Sequence, residues 1–124
     1  FDESISQIPY DWKIISLGVS QHIWRDVMII PNKNYYLSPH RTDGAFAVAF
    51  NSTIYNDMLD RICKYNCNFD SGPIRDMYKK YPSMCYTLYP NLVIAQLDKS
   101  TTQESRNMEE YSKKFGWDLN VYDL

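Results

Sequence analysis

The sequence predicts an α/β layered domain, and three observations carry that expectation. Apolar runs of strand length alternate with stretches of helical periodicity, glycine and proline punctuate the junctions, and no repeat, linker or low-complexity tract breaks the order. The chain of 124 residues is the size of one domain or one lobe and can bury a core without cross-links. No apolar run approaches the roughly 20 residues that a spanning helix needs, so no membrane-spanning segment is expected. Phe1 opens the chain with no charged-then-apolar leader before it, which leads us to expect a segment of a longer protein.

Ile5 and Ile8 before Pro9 read as the end of a helix, and Trp12 to Leu17 as a short buried strand that Gly18 terminates. Gly18-Val19-Ser20-Gln21 then reads as a loop at a strand's carboxyl end, either the ligand-facing kind found in open α/β sheets or a plain turn. Trp24 to Lys33 is irregular, a loop carrying a short strand. Tyr35-Tyr36-Leu37 is a further strand, and the polar turn His40 to Gly44 feeds the apolar strand Ala45 to Phe50. Asn51 or Ser52 caps the next helix, where Ile54, Met58 and Ile62 recur beside Tyr55, Leu59 and Cys63 to make a broad apolar face.

Phe69 to Pro73 leads into another helix running to about Lys80, with Pro73 in its first turn and Asp70 just before its amino terminus, where a carboxylate is electrostatically favoured. Met84 to Tyr89 and Leu92 to Leu97 read as strands separated by the turn Pro90-Asn91. Thr101-x-x-Glu104 fits a capping box, and Met108, Tyr111 and Phe115 follow at helical spacing until Gly116. The alternating tail Trp117 to Tyr122 is expected as an edge strand or an extended segment.

Composition narrows the function classes. Net charge is −2 and the 13 basic residues are scattered, with Lys79-Lys80 and Lys113-Lys114 the adjacent pairs, so the basic stripe needed along a phosphate backbone is missing and nucleic acid is not an expected partner. The 11 tyrosines suit either stacking on sugar rings or a half-buried core. Cys63, Cys67 and Cys85 are an odd number and too few for a disulfide framework. A zinc site on Cys63 and Cys67 lacks nearby third and fourth ligands, so buried free thiols are expected. Asn51-Ser52-Thr53 is a glycosylation sequon, read first as a cap.

Three segments in order carry a family resemblance: Asp11 to Gly18, then Thr42-Asp43-Gly44-Ala45-Phe46-Ala47, then Tyr89-Pro90-Asn91-Leu92-Val93-Ile94-Ala95 with Ser100 and Arg106 beyond. Together they resemble glycosyltransferase family 25, the lipopolysaccharide and collagen galactosyltransferase group, which also has relatives in giant viruses. The resemblance covers nearly the whole of residues 1–124 and rests on order and spacing more than on any one motif. It implies a partial Rossmann-like nucleotide-sugar transferase fold, a mixed sheet with flanking helices, forming the carboxyl-terminal part of the enzyme. It also implies transfer of a hexose from a nucleotide sugar, a UDP-hexose, to a glycan or protein hydroxyl.

In that family an acidic Asp-x-Asp motif holds Mn²⁺ or Mg²⁺ against the donor diphosphate, because the metal neutralises the charge that develops on the leaving group. No Asp-x-Asp or Asp-Asp pair occurs in this sequence, so the resemblance places the metal in the parent enzyme and none in this fragment alone, which is expected to be inactive by itself. Relatives act in bacterial cytoplasm, in the endoplasmic reticulum and in infected cells, and the cytoplasm is the compartment expected here.

Residue by residue, Gly18 and Gln21 match the loop after the Trp-containing strand, and Thr42, Asp43 and Gly44 match the Thr-x-Gly entry to the small-residue strand, all as substrate-binding positions. Asp70 matches a Pro-apolar-Asp element as an acceptor contact or catalytic base, although here the element reads Asn68-Phe69-Asp70 with the proline displaced to Pro73. Asp70 as a helix-terminal carboxylate alone is the other reading. His40 could complete a metal shell or simply stand exposed, and Arg106 could meet a phosphate or a surface carboxylate. A non-catalytic carbohydrate-binding or interaction module derived from a transferase is the alternative function.

Overall fold

A computed structural model describes residues 2–96 and 107–121 and builds them around a four-stranded mixed sheet with helices on both faces. The strands are β1 (Ile14–Gln21), β2 (Tyr35–Leu37), β3 (Thr42–Phe50) and β4 (Cys85–Leu88), in the order β2-β4-β1-β3. β1 runs parallel to β4 and antiparallel to β3, while β2 lies antiparallel to β4. Among the described residues four α-helices accompany them: α1 (Asp2–Ser6), α2 (Tyr55–Lys64), α3 (Arg75–Lys80) and α4 (Met108–Phe115).

β1 is a central strand and is buried on both faces along most of its length, its polar Ser16 and Gln21 included. Successive side chains of a strand point to opposite faces. Ile14 accordingly joins Ile54, Met58, Ile74 and Met77 beneath α2 and α3, while Ile15 joins Ile8, Tyr35, Tyr86 and Leu88 on the other face. A third cluster, Phe115 and Trp117 with Phe46 and Ile94 against it, fastens the end of α4. The Trp117 indole donates 2.8 Å to the Val19 carbonyl, tying the tail to β1.

Gly18 does not end the strand. β1 continues to Gln21 because its backbone keeps partners on both sides beyond the point where β4 leaves it. After the cis Tyr89-Pro90 bond the chain returns, and the Leu92 and Val93 amides both donate to the Leu17 carbonyl at 2.7 and 3.3 Å. The Asn91 side-chain oxygen Oδ1 accepts from the Val19 amide at 2.6 Å. The return passes so close that a Cβ on Gly18 would sit 1.5 Å from the Val93 oxygen, so this glycine is required for backbone contact rather than for a loop.

β3 likewise begins earlier than the apolar run, at Thr42, because the polar residues Thr42 and Asp43 pair with Gln21 and Ser20. Between the pairs Gly18–Ala47 and Ser20–Asp43 the register slips, and the extra residues of β3 bulge out with Gly44 at φ 84°.

Other elements depart from the pattern reading in identifiable ways. A 3₁₀ turn at Ser52–Ile54 precedes α2, with the Asn51 side chain accepting from the Thr53 amide as a cap. Only Ile54 and Met58 of the expected apolar face are buried, since the helix turns one narrow stripe to the sheet, and Tyr55, Leu59, Ile62 and Cys63 are exposed. Asp70–Ile74 forms a π turn running directly into α3, its wide i→i−5 bond visible between the Ile74 amide and the Phe69 carbonyl. Trp24–Asp26 is a 3₁₀ turn, and the segment after it meets the sheet through the backbone bridge Ile29 to Tyr36 and the packing of Ile30 against the Ile15–Tyr35 cluster.

Residues 92–96 form no strand of their own, and Leu97 lies outside the described residues. So does the Thr101–Glu104 box. Asn107 caps α4 by accepting from the Glu110 amide, and Gly116 closes it at φ 69°. The tail makes a 3₁₀ turn at Leu119–Val121 rather than a strand, because Trp117 is already consumed in the core.

Candidate functional site

The antiparallel register brings the carboxyl end of β1 to the amino end of β3, so Gln21 lies opposite Thr42 and Ser20 opposite Asp43. Four of the residues expected to touch substrate therefore share one corner of the sheet: Gln21, Thr42, Asp43 and Gly44. The fifth, Gly18, is three residues back under the Val93 backbone, away from that corner.

Gln21 and Thr42 are both buried, and their polar groups are satisfied from within. The Gln21 side-chain oxygen accepts from the Tyr36 hydroxyl and from Thr42 Oγ1, each at 3.0 Å, while its amide nitrogen donates to the Ile23 carbonyl at 3.4 Å. Burial holds the Tyr36 phenol well above its ordinary range, keeping it a neutral donor. This trio fixes the corner and does not face a ligand.

Asp43 and Arg75 form a two-pronged ion pair at the surface of the corner, Nε to Oδ1 at 2.7 Å and one terminal nitrogen to Oδ2 at 2.5 Å. The Asp43 hydrogen bonds push the Arg75 guanidinium further above its already high range. His22 Nε2 stands 3.9 Å from Asp43 Oδ2, its ring held edge-on against Phe115.

Asp70 projects from the π turn onto the β3 bulge, where its Oδ2 accepts from the Gly44 amide at 2.9 Å. The bond requires the amide to be free of the β1–β3 ladder, which the bulge at Gly44 provides. Asp70 is therefore spent first on joining two elements, and its other oxygen has no partner among the described residues.

Beside this corner a polar cavity of about 360 Å³ opens. His40 and Arg41 line it from the turn before β3, and Ser71, Gly72, Arg75, Asp76 and Lys79 from the π turn and α3, with Tyr65 as an aromatic wall. Asp76 accepts from the Tyr65 hydroxyl at 2.6 Å and lies 3.7 Å from Arg61. His40, Arg41 and Lys79 have no protein partner among the described residues. Sequence reading overlooked Arg41, Arg75 and Lys79; the legible signal was the i, i+4 spacing of Arg75 and Lys79, which places both on one helix face.

The described residues do not fit a divalent cation. No three His, Cys, Asp or Glu side chains among them converge, both Asp43 oxygens are engaged by Arg75, and His40 stands among cationic side chains. Ser100 and Arg106 lie outside the described residues. Comparison with protein-family models, with curated proteins and with solved structures finds no match to this chain.

Proposed function

We propose that this chain is the acceptor-side lobe of a nucleotide-sugar glycosyltransferase with a Rossmann-like sheet, acting on a glycan or protein hydroxyl. The observation that supports this reading is the convergence of Asp70, Gly44 and the Asp43–Arg75 pair at one sheet corner beside an open polar cavity. The corner supplies a carboxylate oxygen without a partner among the described residues, anchored through its other oxygen to the backbone.

In a direct displacement the acceptor oxygen bonds to the anomeric carbon as the bond to the nucleoside diphosphate breaks, and the acceptor's proton must leave. Asp70 takes it in this proposal, and Gly44 N–H fixes the carboxylate's orientation. Gln21 and Thr42 are positioning residues that hold the strand ends together. Arg75 keeps Asp43 turned aside.

A second reading, a carbohydrate-binding module without catalysis, draws on the internal satisfaction of Gln21, Thr42 and Asp43, which leaves few polar groups aimed outward. The two separate in one pair of measurements. Transfer from a panel of UDP-hexoses to disaccharide acceptors is assayed with the full-length natural protein, and Asp70→Asn is expected to lower turnover about a hundredfold while leaving acceptor affinity unchanged. Unchanged turnover with a lowered melting temperature would return Asp70 to a purely structural role, and glycan binding with no transfer from any nucleotide sugar would establish the module.

A further inference from the structure

We infer that the cavity between the β3 entry turn and α3 is a binding site for a phosphate group carried on a small molecule. The inference stands apart from the transferase reading, because it needs neither a sugar donor nor Asp70.

Charge is the first argument. Arg41, Arg75 and Lys79 line one cavity with a single carboxylate, Asp76, in a chain whose net charge is −2; Arg75 is paired with Asp43 beside the cavity, which leaves Arg41 and Lys79 as the cations without a carboxylate among the described residues. Asp76 is already compensated by Arg61 and by the Tyr65 hydroxyl, so it does not neutralise the cavity. Arg41 and Lys79 meet no carboxylate among the described residues. Cations gathered at one concavity repel one another unless an anion joins them, and a site of this kind focuses potential on whatever enters.

Geometry is the second. Arg75 is not a mobile surface side chain, since Asp43 grips two of its five N–H donors and holds the fork in place. Three donors remain on a pre-oriented plane, the arrangement by which guanidinium recognises phosphate. Arg41 and His40 line the cavity from the turn before β3, and Lys79 from one helical turn beyond Arg75. A carboxylate has one charge and two oxygens, which a single guanidinium satisfies. A phosphate group carries up to two charges and at least three terminal oxygens, enough to employ all of these groups.

Size is the third. A water molecule's share of liquid volume is about 30 Å³, so a space of about 360 Å³ is far more than one phosphate fills and accommodates a ring bearing one. The Tyr65 ring forms part of the wall beside it. The same chemistry could come from a phosphorylated sugar or from inorganic phosphate. A nucleic-acid backbone is disfavoured because the cations sit in one cavity rather than along a stripe.

The test is calorimetric and NMR titration of the isotope-labelled chain with inorganic phosphate, hexose phosphate and acetate at low ionic strength. Both phosphates are expected to bind saturably and to shift the Arg75 Nε and Gly72 amide signals, with acetate at least tenfold weaker. Tighter binding of hexose phosphate assigns the organic source, and equal binding assigns the free ion. Arg41→Ala with Lys79→Ala should weaken phosphate at least tenfold with an unchanged circular dichroism spectrum. The same charge removed at exposed Arg25 and Lys33 should leave binding intact. Acetate equalling phosphate, or the distant pair weakening binding as much as the cavity pair, would overturn the assignment.

Discussion

Replacing Gln21 by Leu removes the acceptor that two buried hydroxyls share, Tyr36 and Thr42, while keeping the volume of the side chain nearly constant. A buried hydroxyl stripped of its partner costs about 1–3 kcal/mol. Thr42 Oγ1 has no other acceptor among the described residues, and Tyr36 retains a contact with Thr87, so the Tyr36 share falls at the low end. We expect a loss of about 2–4 kcal/mol, a fall in melting temperature on the order of 10 °C for a domain of this size. The informative comparison is a cycle with Tyr36→Phe and Thr42→Val. If the cost is an orphaned pair of hydroxyls, the triple variant regains stability over Gln21→Leu alone, because no unsatisfied donor remains. Urea melts of the four proteins read the coupling directly. A loss below about 0.5 kcal/mol for Gln21→Leu, or strictly additive effects around the cycle, would refute the assignment of Gln21 as the hub of the corner.

Two further outcomes follow from other residues. Lys80 and the Tyr81 hydroxyl both donate to Asp57 and hold its carboxyl below the usual range. A depressed carboxyl contributes stability above its ordinary pKa that is lost as pH falls through the folded-state value, so melting temperature should drop more steeply below pH about 4 in the natural protein than in Asp57→Asn, and parallel curves would contradict this. Burial pushes the Cys85 thiol up to about 12, whereas Cys63 and Cys67 are exposed. Mass spectrometry after iodoacetamide treatment at mildly alkaline pH should find Cys63 and Cys67 modified and Cys85 untouched until denaturant is added; equal labelling of all three in the native protein would be inconsistent with a buried Cys85.

The α/β architecture was legible because hydrophobic period and punctuation agreed along most of the chain, as at Ala45 to Phe50 and at Met108 to Gly116. Local rules misled where a distant segment supplied what they assumed missing. Gly18 reads as a stop, yet residues 91–93, brought back from far along the chain, supply the partners that carry β1 on to Gln21. Thr42 and Asp43 read as turn residues because they are polar, and they are strand residues because Gln21 and Ser20 pair with them. The apolar face of α2 was read too wide, since periodicity gives the direction of a face and not the area that the sheet has left to cover.

The same distinction separates the residues of the corner. Apart from the family element it resembles, Asp70 stands out in sequence as a carboxylate near a helix start, a position whose usual meaning is local. Its actual partner is the Gly44 amide, exposed for bonding by a bulge that exists because β3 carries extra residues against β1. Arg75 in turn is oriented by Asp43, one residue before that bulge, so β3 fixes both the carboxylate at the corner and the guanidinium at the cavity. Displacing the bulge would therefore disturb both at once, whereas removing Arg41 or Lys79 would disturb only the cavity. The corner and the cavity are mechanically joined through Asp43 and Gly44 but chemically separable, one built around a carboxylate and the other around cations.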